Sequence, residues 1–132
     1  MVRMMESEDS VIGAALRSRV SGLRQAGEGE YVCAMDFDPA FRGFEGHFEG
    51  NPIVPGVCLI EAARVVAETV LERQLSTQRV AQCRFRRPVR AGERAEVKIK
   101  IGEAEPEAWL VQADIRVEEA VCAQLRLKAV AS

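Results

Sequence analysis

The sequence predicts an α+β fold in which one long, mostly apolar helix is covered by an antiparallel sheet. Two observations carry this. Residues 57–75, VCLIEAARVVAETVLERQL, place Leu59, Ala62, Ala63, Val66, Ala67, Val70 and Leu71 at the three- and four-residue spacing of a helix face. Downstream, AQCRFRR, AEVKIKI, WLVQADIRV and VCAQLRLKAV alternate apolar and polar residues with the two-residue period of half-buried strands. Strands buried on one face and a helix with a broad apolar face satisfy each other when the sheet wraps over the helix.

The elements follow in order. Residues 1–9 read as a flexible tail. Ser10 is placed to cap a helix whose apolar positions are Val11, Ile12, Ala15, Leu16, Val20 and Leu23. Gly27-Glu28-Gly29 breaks that pattern, and EYVCAMDFD then alternates, with Tyr31, Cys33, Met35 and Phe37 on one face of a strand. Residues 39–56 carry four glycines with Pro39, Pro52 and Pro55 and read as a loop. Pro55 suits the first helical position, where its missing N–H costs nothing. The long helix runs about 28 Å at ~1.5 Å per residue, with Glu61, Arg64, Glu68 and Glu72 as its polar stripe. In the last two strands Trp109, Val111, Ala113, Ile115 and Val117 share one face, as do Val121, Ala123, Leu125 and Leu127. Glu118-Glu119 between them implies a hairpin.

Composition bounds the function. The 132 residues suffice for a single domain over residues 1–132, and 48% apolar with 29% charged is a globular balance. A net charge of −2 excludes a molecule that binds nucleic acid by bulk charge. No apolar run approaches the ~20 residues of a membrane span, and MVRMMESEDS lacks the apolar core of a secretion signal, so a cytoplasmic protein is expected. Cys33, Cys58, Cys83 and Cys122 are scattered without a C-x-x-C pair and read as buried, reduced thiols. With one histidine and no cysteine pair, a zinc site is not expected.

The chemistry concentrates in GHFEGNPIVPGV, residues 46–57. His47 is the one side chain suited to exchanging protons near neutrality. Gly56 and Val57 fall in the first turn of the long helix, where backbone N–H groups lack intrahelical acceptors and the helix dipole is positive. Such a place can hold a carbonyl oxygen that gains negative charge, or Pro-Gly can simply start the helix. Glu61 can act as an acid if partly buried, or pair with Arg64 one turn on.

GHFEGNPIVPGVCLIEA resembles the active-site signature of the (3R)-hydroxyacyl-acyl-carrier-protein dehydratases, the FabZ-like hotdog enzymes of fatty-acid synthesis. His47, Phe48, Gly50, Pro52, Pro55, Gly56, Val57, Glu61 and Ala62 stand at matching positions, and the 14-residue step from His47 to Glu61 is kept. RFRRPVRAGERAEVKI resembles the second block of that family, and the likeness covers roughly residues 30–130.

The resemblance implies a hotdog fold, a long central helix wrapped by a curved antiparallel sheet. It further implies a homodimer, able to assemble further, with each active site at the interface, its histidine from one chain and its acid from the other, and no metal or organic cofactor. On this chain His47 would remove the C2 proton of a 3-hydroxyacyl thioester, and Glu61 would deliver a proton to the departing hydroxyl, directly or through water. The Gly56 N–H would hold the thioester carbonyl, with Val57 and Phe48 beside the substrate. Glu rather than Asp at 61 favours the dehydratase-only branch. Arg84, Arg86, Arg87, Arg90 and Arg94 would dock the acidic acyl carrier protein, or form an ordinary solvated strand face.

The chain departs from the family at several points. Glu49 replaces the motif proline, putting a carboxylate two residues from His47, and the usual proline- and histidine-bearing region before the first strand is missing. Ala63-Arg64 stands where a glutamine is common. A dedicated polyketide or aryl polyene pathway is therefore as open as housekeeping fatty-acid synthesis. An acyl-thioester hydrolase or a catalytically silent acyl-binding subunit are the alternatives.

Overall fold

The computed structural model describes residues 11–45, 50 and 52–132. The expected tail and the capping Ser10 lie outside the described residues. Residues 11–17 are helical (α1). They are followed by β1 (Val20–Gly27), β2 (Glu30–Phe37), a single 3-10 turn (Arg42–Phe44), α2 (Gly56–Leu71), β3 (Leu75–Phe85), β4 (Glu93–Glu105), β5 (Ala108–Val117) and β6 (Ala120–Ala131). The strands form one six-stranded sheet in the order β1-β2-β4-β5-β6-β3, and every neighbouring pair is antiparallel.

The helix and sheet meet through the faces that periodicity defines. Ala62, Ala63, Val65, Val66 and Ala67 of α2 are fully buried. Met35, Val97, Val111, Ile115 and Leu127, on alternate positions of four strands, belong to the same core. Three alanines among the five helical residues keep α2 slim, so the sheet can close around it. The β5–β6 hairpin turns at Glu118-Glu119 as expected, with Glu118 in the left-handed region at φ 50°.

The structure corrects four local readings. The N-terminal helix ends at residue 17, and Val20 and Leu23 belong to β1. Their three-residue spacing comes from a β-bulge. Pairing shifts between Ser21, opposite Ala34, and Arg24, opposite Val32, and Gly22 sits inside the shift at φ +62°. The extra residue turns Val20 and Leu23 to the same side, against the core. Second, α2 stops at Leu71, and Leu75 already starts β3, 3% exposed and paired with Ala131. Glu72 closes the helix in the left-handed region at φ 54°, and the Glu68 carboxylate accepts the Leu75 N–H at 2.8 Å. Pro55 is the residue before the first helical turn rather than within it. Third, Cys83 is exposed, because β3 is an edge strand with most side chains facing solvent; Cys33, Cys58 and Cys122 are buried, and all four are free thiols. Fourth, Cys122 takes the inward place expected of Val121, at a pairing irregularity between Ile115 and Arg116.

Among the described residues, no helix is long and apolar enough to cross a membrane, and no group of three or more His, Cys, Asp or Glu could hold a metal ion.

Candidate active site

The N-terminal end of α2 opens on a cleft of about 470 Å³, lined by Val11 and Ile12 of α1, Arg42 and Glu45 of the preceding loop, and Val57, Cys58 and Glu61 of α2. Helical geometry explains the last three. Cys58 and Glu61 are one turn apart, so they share a face, and Val57 projects beside them with 66% of its surface exposed. Arg42 and Glu45 pair with each other across the rim at 3.1 Å. A larger groove of about 520 Å³, among β1, β2, β4 and β5, shares no lining residue with this cleft, and Arg94 is the one candidate site residue that lines it.

Gly56 is the first residue of α2. Among the described residues, neither its N–H nor that of Val57 has a hydrogen-bond acceptor. The Phe85 ring, from the end of β3, lies against Gly56: a Cβ built there would meet its Cζ at 2.7 Å and Cε2 at 2.8 Å. The glycine is thus needed for close approach. Phe85 itself is half exposed.

Glu61 makes the contact that its i, i+3 spacing allows. Its Oε2 accepts a hydrogen bond from Arg64 Nε, with the carboxylate side chain 23% exposed and the guanidinium 11%. Arg64 is held in turn: Nη1 donates to Glu68 Oε2 at 2.9 Å and to the Leu75 carbonyl at 3.3 Å. Glu68, the buried charged residue among those described, also accepts from Arg17 Nη2 at 2.9 Å and from the Leu75 N–H. Burial pushes the Cys58 thiol up, and the Glu61 carboxylate beside it pushes in the same direction.

The structure therefore brings Val57 and Glu61 to one cleft, while Gly56, one residue earlier at the same helix end, lies against Phe85 and does not line that cleft. His47 and Phe48, the other residues assigned to the site from sequence, lie outside the described residues, as does Glu49. Ile12, Cys58 and Phe85 were not assigned to the site from sequence. Cys58 was within reach of the helical period. Phe85 stands in the second family block, but its contact with Gly56 joins residues 29 apart.

The five arginines do not form one uniform patch. Arg87 pairs with Glu93 at 2.8 Å and Arg94 with Asp36 at 2.8 Å, while Arg86 donates to Gln124. Arg84 is exposed on β3. Arg90 is half-buried, and its backbone N–H bonds the Glu93 carboxylate at 2.7 Å. That N–H and Arg87 hold the Glu93 carboxyl below its usual range, with the Arg87 hydrogen bond the larger cause.

Comparison with known proteins follows the same lines. Residues 23–125 match the family described as ApeI-like, ApeI dehydratase. The chain is 29% identical over 99 residues to a 3-hydroxyacyl-acyl-carrier-protein dehydratase FabZ of Campylobacter concisus, covering 65% of this chain and 67% of the relative. It is 35% identical over 94 residues to the protein of that name in Syntrophobacter fumaroxidans, covering 65% and 64%. The chain thus spans about two thirds of the length of these relatives. Among solved structures, it is similar to the dehydratase heterocomplex ApeI:P from Xenorhabdus doucetiae, with a TM-score of 0.71, 22% identity and coverage of 84% of this chain and 96% of that one. An acyl-CoA hydrolase mutant of Staphylococcus aureus superposes with a TM-score of 0.56 at 18% identity, covering 82% and 69%. The fold is the hotdog fold, and it is shared across different activities.

Proposed function

Because the chain belongs to the ApeI-like dehydratase family, we propose that it converts a (3R)-hydroxyacyl thioester on acyl carrier protein to the trans-2-enoyl thioester, releasing water. The observation that carries this reading is the half-buried Glu61 carboxylate on the cleft at the N-terminal end of α2, whose first residue, Gly56, has an N–H without an acceptor among the described residues. The Gly56 N–H, aided by the helix dipole, holds the thioester carbonyl as C2 is deprotonated and enolate charge develops. His47 takes the C2 proton, and Glu61 attends the hydroxyl that leaves C3, directly or through water. Val57 and Phe48 flank the acyl chain. The fatty-acid or polyene-like pathway that supplies the substrate follows from the acyl chain accepted.

The site is completed in an assembly of two hotdog chains. The eleven-residue β3 edge, with Val80 and Phe85 exposed, supports this, since an open apolar edge is a template for pairing. The exposed Arg84 on the same strand is the strongest of the arginines for docking an acidic carrier.

The deciding experiment supplies 3-hydroxydecanoyl carrier protein and follows the ultraviolet absorbance of the enoyl thioester. Turnover by the natural chain, abolished in His47→Ala and Glu61→Gln, is the expected result. Free thiol released from acyl-CoA in place of enoyl product would identify a hydrolase. Bound acyl chain without turnover would identify a silent subunit.

A further inference from the structure

Resting on that reading, we infer that Arg64 is a positioning residue which holds Glu61 in one orientation toward the hydroxyl that leaves C3.

The argument starts from how Arg64 is fixed. A guanidinium is a planar fork that can serve two carboxylates at once. Here Nε binds Glu61 Oε2, while Nη1 binds Glu68 Oε2 and the Leu75 carbonyl. Glu68 is anchored independently by Arg17 and by the Leu75 N–H at the start of β3. Arg64 therefore cannot swing without giving up three contacts, and Glu61 inherits that rigidity.

Charge favours the same arrangement, since the Glu61 and Glu68 carboxylates face the Arg64 and Arg17 guanidinium groups. Arg64 holds Oε2 of Glu61, and among the described residues Oε1 has no hydrogen-bond partner and can meet the hydroxyl or a water attached to it.

The test compares the natural chain with Arg64→Gln, Arg64→Lys, Glu68→Gln and Glu61→Gln, measuring kcat and KM for 3-hydroxydecanoyl carrier protein across the pH range. Arg64→Gln is expected to lower kcat about 10- to 100-fold, the scale of a misplaced reacting group, with KM within about threefold. Arg64→Lys should recover only part, because a single ammonium does not reproduce the fork. Equal or faster turnover by folded Arg64→Gln would overturn the inference. If Arg64→Gln does not fold, Glu68→Gln decides. It loosens the far anchor of Arg64 and should lower kcat about two- to fivefold with KM little changed; an unchanged kcat there also overturns it. Glu61→Gln separates the two failures. If it matches the natural chain, or the natural chain does not turn over, the dehydratase reading falls and takes this one with it. If it is dead while Arg64→Gln is unaffected, only the role of Arg64 is lost.

Discussion

Glu68 offers a sharp physical test, because one carboxylate is shared by two arginines in different surroundings. Arg64 lies on the same helix with its side chain 11% exposed, whereas Arg17 reaches over from α1 and is 52% exposed. Truncation by Glu68→Ala strips the Leu75 N–H of its acceptor, which costs about 1–3 kcal/mol for a buried donor. It also leaves the guanidinium of Arg64 with one carboxylate in place of two, and breaking a buried pair from one side reaches about 3–5 kcal/mol. Because Glu61 still partners Arg64, the lower part of that range applies, and the expected loss is about 3–4 kcal/mol. Arg17→Ala removes a half-exposed partner and should cost less than about 1 kcal/mol. Unfolding entropy of ~2.1 cal/mol/K per residue gives roughly 0.28 kcal/mol/K for this chain, so Glu68→Ala should lower Tm by about 11–14 °C and Arg17→Ala by under about 4 °C. Thermal unfolding followed by circular dichroism, with urea denaturation as a second probe, measures both. Equal shifts in the two variants, or a loss below about 1 kcal/mol in Glu68→Ala, would refute the assignment of this network to the α2–β3 junction.

Two further outcomes follow from the structure. Burial pushes the Cys33 thiol up to about 11, so the folded chain keeps its proton at a pH where an unfolded thiol, near 9, has lost it. That stabilisation is complete below about pH 9 and is lost as pH rises through about 11; Cys33→Ala should flatten this alkaline decline in a pH series of denaturation midpoints. Gly56→Ala places a methyl group 2.7 Å from the Phe85 ring. Phe85 is half exposed and can turn away, so Tm should fall by less than about 4 °C, a loss of under ~1 kcal/mol, while enoyl-thioester formation drops at least about tenfold as the approach to the Gly56 N–H is blocked. Turnover at the natural rate would remove Gly56 from the site.

What sequence alone determined is the set of features written in local periods. The apolar face of α2 and the inward sides of β2, β4 and β5 follow from spacings of 3.6 and 2 residues, because burial of one side repeats with the geometry of the backbone itself. The same logic placed Gly56, Val57 and Glu61 together at one helix end, and the i, i+3 step already contained the Glu61–Arg64 pair. Tertiary structure decided whatever depends on residues far apart in the chain. Val20 and Leu23 carry a helical spacing, yet they lie on a strand, since pairing with β2 accommodates the bulge at Gly22. The end of α2 is set by Glu68 capturing the Leu75 N–H while β3 pairs with β6, a competition that helical periodicity does not register. Cys83 alternates like a core residue but faces solvent, because β3 occupies the sheet edge. The contact of Phe85 with Gly56 and the reach of Arg17 to Glu68, 51 residues away, arise only when the sheet closes over the helix. Local backbone geometry is encoded residue by residue, whereas these contacts depend on the packing of whole elements, and that packing is what turns a glutamate on a polar stripe into an anchored carboxylate.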